Sequence, residues 1–252
     1  MSNLVPKEEF LKKLVELIII LKAPELNEFK AILSDTKLLA NEYPTKPKLA
    51  NIGNIRDTGE KALQRAIVNG GFSLLDFKRS YVSPEKVIWL DLELPVSFNK
   101  NPRRMCVDLV GSLDGIPVIC ELKYFKKSKP DHPLFAFVEI LTYWALIQYN
   151  HETLDKYQVH HTNMKSFKWE IFANNPFPKV IIAANQSYWN YWAQRIEINK
   201  ILKFIWDWCL KLDTNVHLFS IPDVDFKQQR GNEPYYQPRL SDKDWTLIKS
   251  TL

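Results

Sequence analysis

Glycine is scarce in this chain, seven in 252 residues. So few glycines leave no Gly-x-Gly-x-x-Gly fingerprint, no Walker loop and no Gly-x-Ser-x-Gly elbow, which removes the common nucleotide-cradling and serine-hydrolase signatures. Cysteine is rarer still. Cys106, Cys120 and Cys209 form an odd, unclustered set with neither a disulfide framework nor zinc-ligand spacing, which points to a reducing, cytoplasmic compartment. Long apolar runs are missing too. Between Pro6 and Leu21 the chain reads "LVELIII", yet Lys12, Lys13 and Glu16 interrupt it, and Leu17 to Leu21 falls far short of the ~20 residues a bilayer span needs. No signal peptide is evident and no membrane partner is expected; the stretch reads as an amphipathic packing helix. There is no internal repeat.

What is present is apolar bulk: 46% hydrophobic and 13% aromatic residues exclude a disordered class and predict a sizeable core. A net charge of +5 favours polyanionic partners only mildly, because dispersed Lys and Arg mainly confer solubility.

The most informative stretch runs from Arg104 to Lys123. Asp114-Gly115 stands between two apolar runs, and a two-residue type I′ hairpin needs φ > 0 at both central positions, which Asp-Gly tolerates. With Leu113 opposite Ile116, Asp108 falls opposite Glu121 and Cys106 opposite Lys123. Strand side chains alternate, so Asp108, Glu121 and Lys123 project from one face. The other face, Val107, Leu109, Gly111 and Leu113 against Ile116, Val118, Cys120 and Leu122, is apolar throughout and is expected to be the core side.

Two carboxylates at cross-strand distance repel unless a cation or a proton relieves them. A bound divalent ion is the simplest expectation. The plainer alternative is a half-exposed hairpin in which Lys123 merely neutralises Glu121. Val110 and Ile119 on the acid face count against it, because they set the acids in a largely apolar surround. Arg103-Arg104 precede the first strand and Lys126, Lys127 and Lys129 follow the second; these serve either as phosphate contacts or as solvated loops.

Asp, then a dozen residues, then Glu-x-Lys on the next strand, within "VDLVG…G…VICELK", resembles the PD-(D/E)xK nuclease superfamily, especially its RecB-like and mismatch-endonuclease-like branches. The resemblance covers roughly residues 57–185. It implies an α/β fold with a restriction-endonuclease-like core of helix, three-strand meander, helix and strand. The implied first helix holds Glu60 in "TGEKALQRAI", the first meander strand is "KVIWLDLELPVSF", and the helix after the motif is "PLFAFVEILTYWALIQY". It further implies Asp108, Glu121 and the backbone carbonyl of Leu122 as ligands of Mg²⁺ or Mn²⁺, Lys123 as the catalytic cation, and Glu60 completing the shell. The implied activity is hydrolysis of DNA phosphodiester bonds by an endonuclease, with a homodimer open. Many RecB-like members carry Gln-x-x-x-Tyr on the following helix; here Glu139 and Tyr143 fill that spacing. The rivals are a nuclease-like fold that binds nucleic acid or protein without cutting, and an unrelated α/β enzyme acting on small phosphorylated molecules.

Around the core lie a helical N-terminal extension, residues 1–56, and a C-terminal helix/strand extension, residues 186–252, packed on it. Residues 6–22 and 25–41 read as a helical pair joined at Ala23-Pro24. Asp57 to Glu60 has the spacing of an N-cap with a reciprocal Glu at N3, which would give Glu60 a purely local role. The helix from about Leu134 to Gln148 is apolar nearly all round, with Ala136, Glu139 and Tyr143 on one stripe; Glu139 there faces the site or pairs with a core cation. His160-His161 read as a surface pair, "KVIIAAN" at Lys179–Asn185 as a closing buried strand, and Ser187 to about Leu212 as one long helix. The tryptophans of that helix, Trp189, Trp192, Trp206 and Trp208, are core or, less favoured, a base-stacking platform. Val216–Ile221 is a short strand before a polar tail that holds Gln228, Gln229, Arg230, Asn232, Tyr235, Tyr236 and Gln237.

Overall fold

Short runs rich in Val, Ile, Leu and aromatic residues, punctuated by turns and helices, build one seven-stranded sheet in the computed structural model, which describes residues 7–34, 59–77, 84–97, 105–126, 129–158, 168–175, 178–223 and 245–250. The strands are β1 (Phe72–Leu75), β2 (Glu85–Ser97), β3 (Met105–Leu113), β4 (Ile116–Lys123), β5 (Lys179–Asn185), β6 (Val216–Ile221) and β7 (Thr246–Ser250), and they lie side by side in chain order. From β1 to β4 the pairing is antiparallel, from β4 to β6 parallel, and β7 returns antiparallel to β6. Parallel neighbours require long crossovers. α4 (Pro133–Gln158) and α5 (Trp169–Asn174) cross from β4 to β5; α6 (Gln186–Ala193) and α7 (Ile198–Leu212) cross from β5 to β6. Ahead of the sheet lie α1 (Lys7–Leu21), a 3₁₀ turn (Pro24–Leu26), α2 (Asn27–Ser34) and α3 (Glu60–Gly70). The protein is thus mixed α/β, with an order of helix, meander, helix and parallel strand around the hairpin. β6 and β7 extend the same sheet, so the C-terminal segment adds strands to it. No helix among the described residues is long and apolar enough to cross a membrane.

Both faces of the sheet are buried, which corrects the expectation of a single core side. Val110, Ile119, Val180 and Ile182 join α1, α4 and α7 in one core; Leu109, Val118, Cys120, Leu122, Ile181 and Ala183 lie in the other with Leu63 and Ile67 of α3. A strand covered on both faces reads as a continuous apolar run, which is why β5 and the first half of β4 carry few polar residues. Val107 also changes sides, joining Val110 and not Leu109. The partner strand switches at the same level. Glu93 adopts φ 52° between Leu92, paired with Leu109, and Leu94, paired with Val107. A left-handed residue breaks the two-residue alternation, so Leu92 and Leu94 enter different cores.

Helix boundaries bring two further corrections. The expected helix from Ser187 to Leu212 is broken into α6 and α7, with no Gly or Pro at the break. Arg195 provides the stop: its backbone N–H bonds the Trp192 carbonyl at 3.0 Å, and its guanidinium donates to the Tyr191 carbonyl at 3.0 Å, satisfying acceptors a continuing helix would use. The two halves then follow different surfaces. α6 lies against β5 and β6, where Trp189 Nε1 donates to the Phe219 carbonyl; α7 packs on α4 and α1. Trp189, Trp192 and Trp208 are buried, so they belong to the core and form no exposed platform. The second correction is that α3 begins at Glu60, with Gly59 as its cap and no side-chain capping bond, so Glu60 is not the N3 partner of a capping box. Asp57, His160, His161 and residues 224–244 lie outside the described residues.

Candidate active site

The Asp-Gly turn closes as its chemistry requires. Asp114 and Gly115 have φ 49° and 84°, Leu113 faces Ile116, and pairing stays in register as far as Leu109 opposite Cys120. Gly111 is obligatory within it: a Cβ there would stand 2.8 Å from Val87 Cγ1 and 2.9 Å from the Ile88 carbonyl of β2. Beyond Cys120 the ladder is interrupted. The N–H of Leu122, which continued pairing would give to the β3 backbone, donates instead to Asp108 Oδ2 at 2.7 Å. The Asp108 side chain thus replaces a main-chain acceptor. A residue's N–H and C=O leave a strand on the same side, so the Leu122 carbonyl lies on the edge of β4 that faces Asp108.

α3 supplies the next two groups. Glu60 stands at its first position and Gln64 one turn later, on the same stripe. Gln64 is buried and donates through Nε2 to Asp108 Oδ1 at 2.7 Å. Both oxygens of Asp108 are thereby held by fixed donors. Motif spacing alone misses Gln64, although its position four residues after Glu60 is the signal that would find it.

Lys123 joins β4 to α4. Its Nζ lies 2.6 Å from Glu121 Oε1 and 2.8 Å from Glu139 Oε2, and Tyr143 donates its hydroxyl to Glu139 Oε1 at 2.9 Å. The stripe of Ala136, Glu139 and Tyr143 therefore turns to the site, and Glu139 is both a site residue and the partner of a buried cation. A Glu at this position serves two donors at once with two carboxylate oxygens, where a Gln would offer one carbonyl.

Four carboxylates thus surround one lysine, and their ionisation shows the imbalance. Burial, reinforced by Asp108 and Glu139 and opposed by Lys123, pushes Glu60 up to about 8. Burial pushes Asp108 to about 6 against the relief of Lys123 and the Leu122 N–H. Glu121 rises well above the usual range through burial and its neighbours Asp108 and Glu139. Glu139 moves the other way: burial opposes ionisation, but Lys123 outweighs it and holds the carboxyl below its ordinary value. Lys123 itself, which burial would lower, is held well above its ordinary value by Glu121, Glu139, Asp108 and Glu60, and so stays charged. The cluster retains protons because, among the described residues, one cation faces four acids.

The donor set fits a hard divalent ion. All candidate donors are oxygens, and Glu121 Oε2 is buried with no hydrogen-bond partner. Each Asp108 oxygen accepts a hydrogen bond from a fixed donor, Gln64 Nε2 or the Leu122 N–H. As placed, however, no group of three or more His, Cys, Asp or Glu side chains among the described residues forms a ready-made metal cluster. The basic residues divide. Lys126 and Lys129 are exposed on the segment that follows β4, whereas Arg103, Arg104 and Lys127 lie outside the described residues. Comparison with protein-family models, curated proteins and solved structures returns no match.

Proposed function

We propose that this chain is a Mg²⁺-dependent deoxyribonuclease, an endonuclease on a restriction-endonuclease-like core. The observation that carries this reading is the convergence of Asp108, Glu121, Glu60 and Lys123 where the hairpin ladder breaks, with the carboxyls shifted toward retaining protons. A surplus of buried acid destabilises a fold unless it serves a cation. The succession of α3, the β2–β4 meander, α4 and β5 supports the core assignment, with β1 as an added edge strand.

Asp108, Glu121 and the Leu122 carbonyl would hold Mg²⁺ or Mn²⁺, with Glu60 completing the shell. When bound, such an ion polarises a phosphate oxygen and lowers the pKa of a bound water. The chain's residues do the rest. Lys123 gives two of its three donors to Glu121 and Glu139 and keeps one for a phosphate oxygen or the attacking water. Glu139 and Tyr143 fix the height of the ammonium over the sheet. Gln64 and the Leu122 N–H prevent Asp108 from rotating. Glu60, whose carboxyl is pushed up to about 8, can hold or release a proton at the site.

The test is cleavage of supercoiled plasmid with Mg²⁺ or with EDTA. Asp108→Asn and Lys123→Ala should each lower the rate by roughly 10²–10³, the scale of losing one transition-state donor, while circular dichroism confirms folding. If Lys123→Ala cut as fast as the parent, the reading would be wrong. One observation favours a second reading, a DNA-binding or protein-interaction module that does not cut: Lys123 is already engaged by two carboxylates. A parent protein that binds DNA but leaves it intact under all metals would establish that alternative.

A further inference from the structure

The segment that leaves β4 after Lys123 is gripped by the crossover to β6. Two residues beyond Lys123, Phe125 is clasped by Asn185, the last residue of β5: its N–H donates to Asn185 Oδ1 at 2.8 Å, and its carbonyl accepts from Asn185 Nδ2 at 2.8 Å. Further along, the Asp131 carbonyl accepts from Tyr188 at 2.9 Å and from Trp192 Nε1 at 3.0 Å, both on α6. His132 rests on Trp192 with ring centroids 4.8 Å apart. Lys126 and Lys129 are thus displayed from a support held at Phe125 and at Asp131.

The grip also assembles aromatic faces. The Phe125 and Tyr191 rings lie 4.8 Å apart at 51°, and the exposed Arg195 guanidinium sits 3.7 Å over the Tyr191 ring. Phe125 and Tyr191 are half-buried, and both belong to the surface on which Arg195 itself is exposed. The surface borders the carboxylate cluster: Asp131 is within electrostatic reach of Glu60, and Tyr124 would contact a side chain added at Gly59, next to Glu60.

Half-buried aromatic residues, a stacked guanidinium and two exposed lysines match an unpaired nucleic-acid strand, whose bases expose flat π faces and whose backbone is anionic. A duplex hides those faces. We propose that Phe125, Tyr191 and Arg195, with Lys126 and Lys129, form a binding surface for a single-stranded segment of DNA that leads into the carboxylate cluster. The proposal deepens the nuclease reading by naming its substrate form: DNA with an unpaired stretch, such as a flap, overhang or frayed end, next to the scissile phosphate.

Binding and cutting can be separated. In the Asp108→Asn protein, with Ca²⁺ in place of Mg²⁺, fluorescence anisotropy would compare a labelled oligothymidine with a blunt duplex of the same length. The single strand should bind more tightly, and Tyr191→Ala should lower the ratio of single-strand to duplex affinity by roughly 5- to 150-fold, the range measured for losing one base stack. Because Tyr191 is partly packed and Arg195 also caps the end of α6, Arg195→Ala repeats the test at an exposed position, with circular dichroism and thermal melting confirming that both variants keep the parent fold. A preference for duplex, or a ratio unmoved in both variants, would overturn the proposal whether or not the parent protein cuts DNA. Single-strand preference that depends on Tyr191 and Arg195 in a protein that never cuts would leave this surface standing and sink the nuclease reading.

Discussion

Without metal, the buried acids should make the protein less stable as pH rises through neutrality, and Glu60 is the group that exposes this most cleanly. Its carboxyl titrates at about 8 in the folded chain, against an ordinary value of 4.5. Between those values the folded state binds more protons than the unfolded state, so unfolding free energy falls with increasing pH. The full interval, 8 minus 4.5, corresponds to an upper limit of about 5 kcal/mol at ~1.36 kcal/mol per pH unit, and the part between about pH 5.5 and 8 to roughly 3 kcal/mol. Asp108, raised from 3.8 to about 6, steepens the lower part of the same window. Glu139 is lowered, so its contribution is lost only at pH below its ordinary 4.5 and leaves the window untouched. Urea unfolding in EDTA at about pH 5.5, 7 and 8 should follow this decline, and the loss is a large fraction of the roughly 5–15 kcal/mol that a domain has. Glu60→Gln should flatten the slope and make the metal-free protein more stable than the parent at about pH 8. Saturating Mg²⁺ should restore roughly 3 kcal/mol at about 100 times its dissociation constant, and far less at about pH 5.5, where protons compete for the same oxygens. A metal-free stability flat from about pH 5.5 to 8, with no response to Mg²⁺ or Mn²⁺, would refute the surplus-acid argument and the metal assignment with it.

Reversing charge at Lys126, Lys127 and Lys129 should weaken DNA binding without changing metal affinity, and removing each phosphate partner should flatten the dependence of log K on log salt by about 0.7 to 0.9; an unchanged slope would make these lysines bulk solvent groups. Gln64→Ala should leave Asp108 Oδ1 without its donor and lower metal affinity measured calorimetrically by roughly 10- to 100-fold, the usual scale for losing an outer-shell partner, while Gln64→Glu should be worse because it adds a further buried acid; equal affinity in all three proteins would show that Asp108 needs no such support.

The hairpin was legible because its information is local. Asp114-Gly115 determines the turn, the turn determines the register, and register with two-residue alternation determines which side chains share a face. That chain of inference holds as far as the ladder does. It could not reveal that the ladder breaks at Cys120, because the break depends on Asp108 outcompeting a backbone carbonyl for the Leu122 N–H, a choice made by three-dimensional packing. Nor could it reveal the side switch at Val107, which is matched on the neighbouring strand by Leu92 and Leu94 on either side of Glu93.

The same boundary between local and distant information runs through the helices. α4 was readable because an all-round apolar helix must be buried, and a lone Glu within it must then find a cation; that the cation is Lys123 follows only from how α4 lies across β4. The division of α6 from α7 carries no Gly or Pro signal, since Arg195 ends the helix through a side-chain contact. That stop leaves Tyr191 between Phe125 and Arg195 and lets α7 pack on α1 and α4 within the same core. Had the helix continued unbroken, the guanidinium would not cap the Tyr191 carbonyl, and the cationic-aromatic surface beside the carboxylates would have no reason to exist. The break that sequence periodicity missed is therefore the element that joins the motif hairpin to the surface proposed for an unpaired strand.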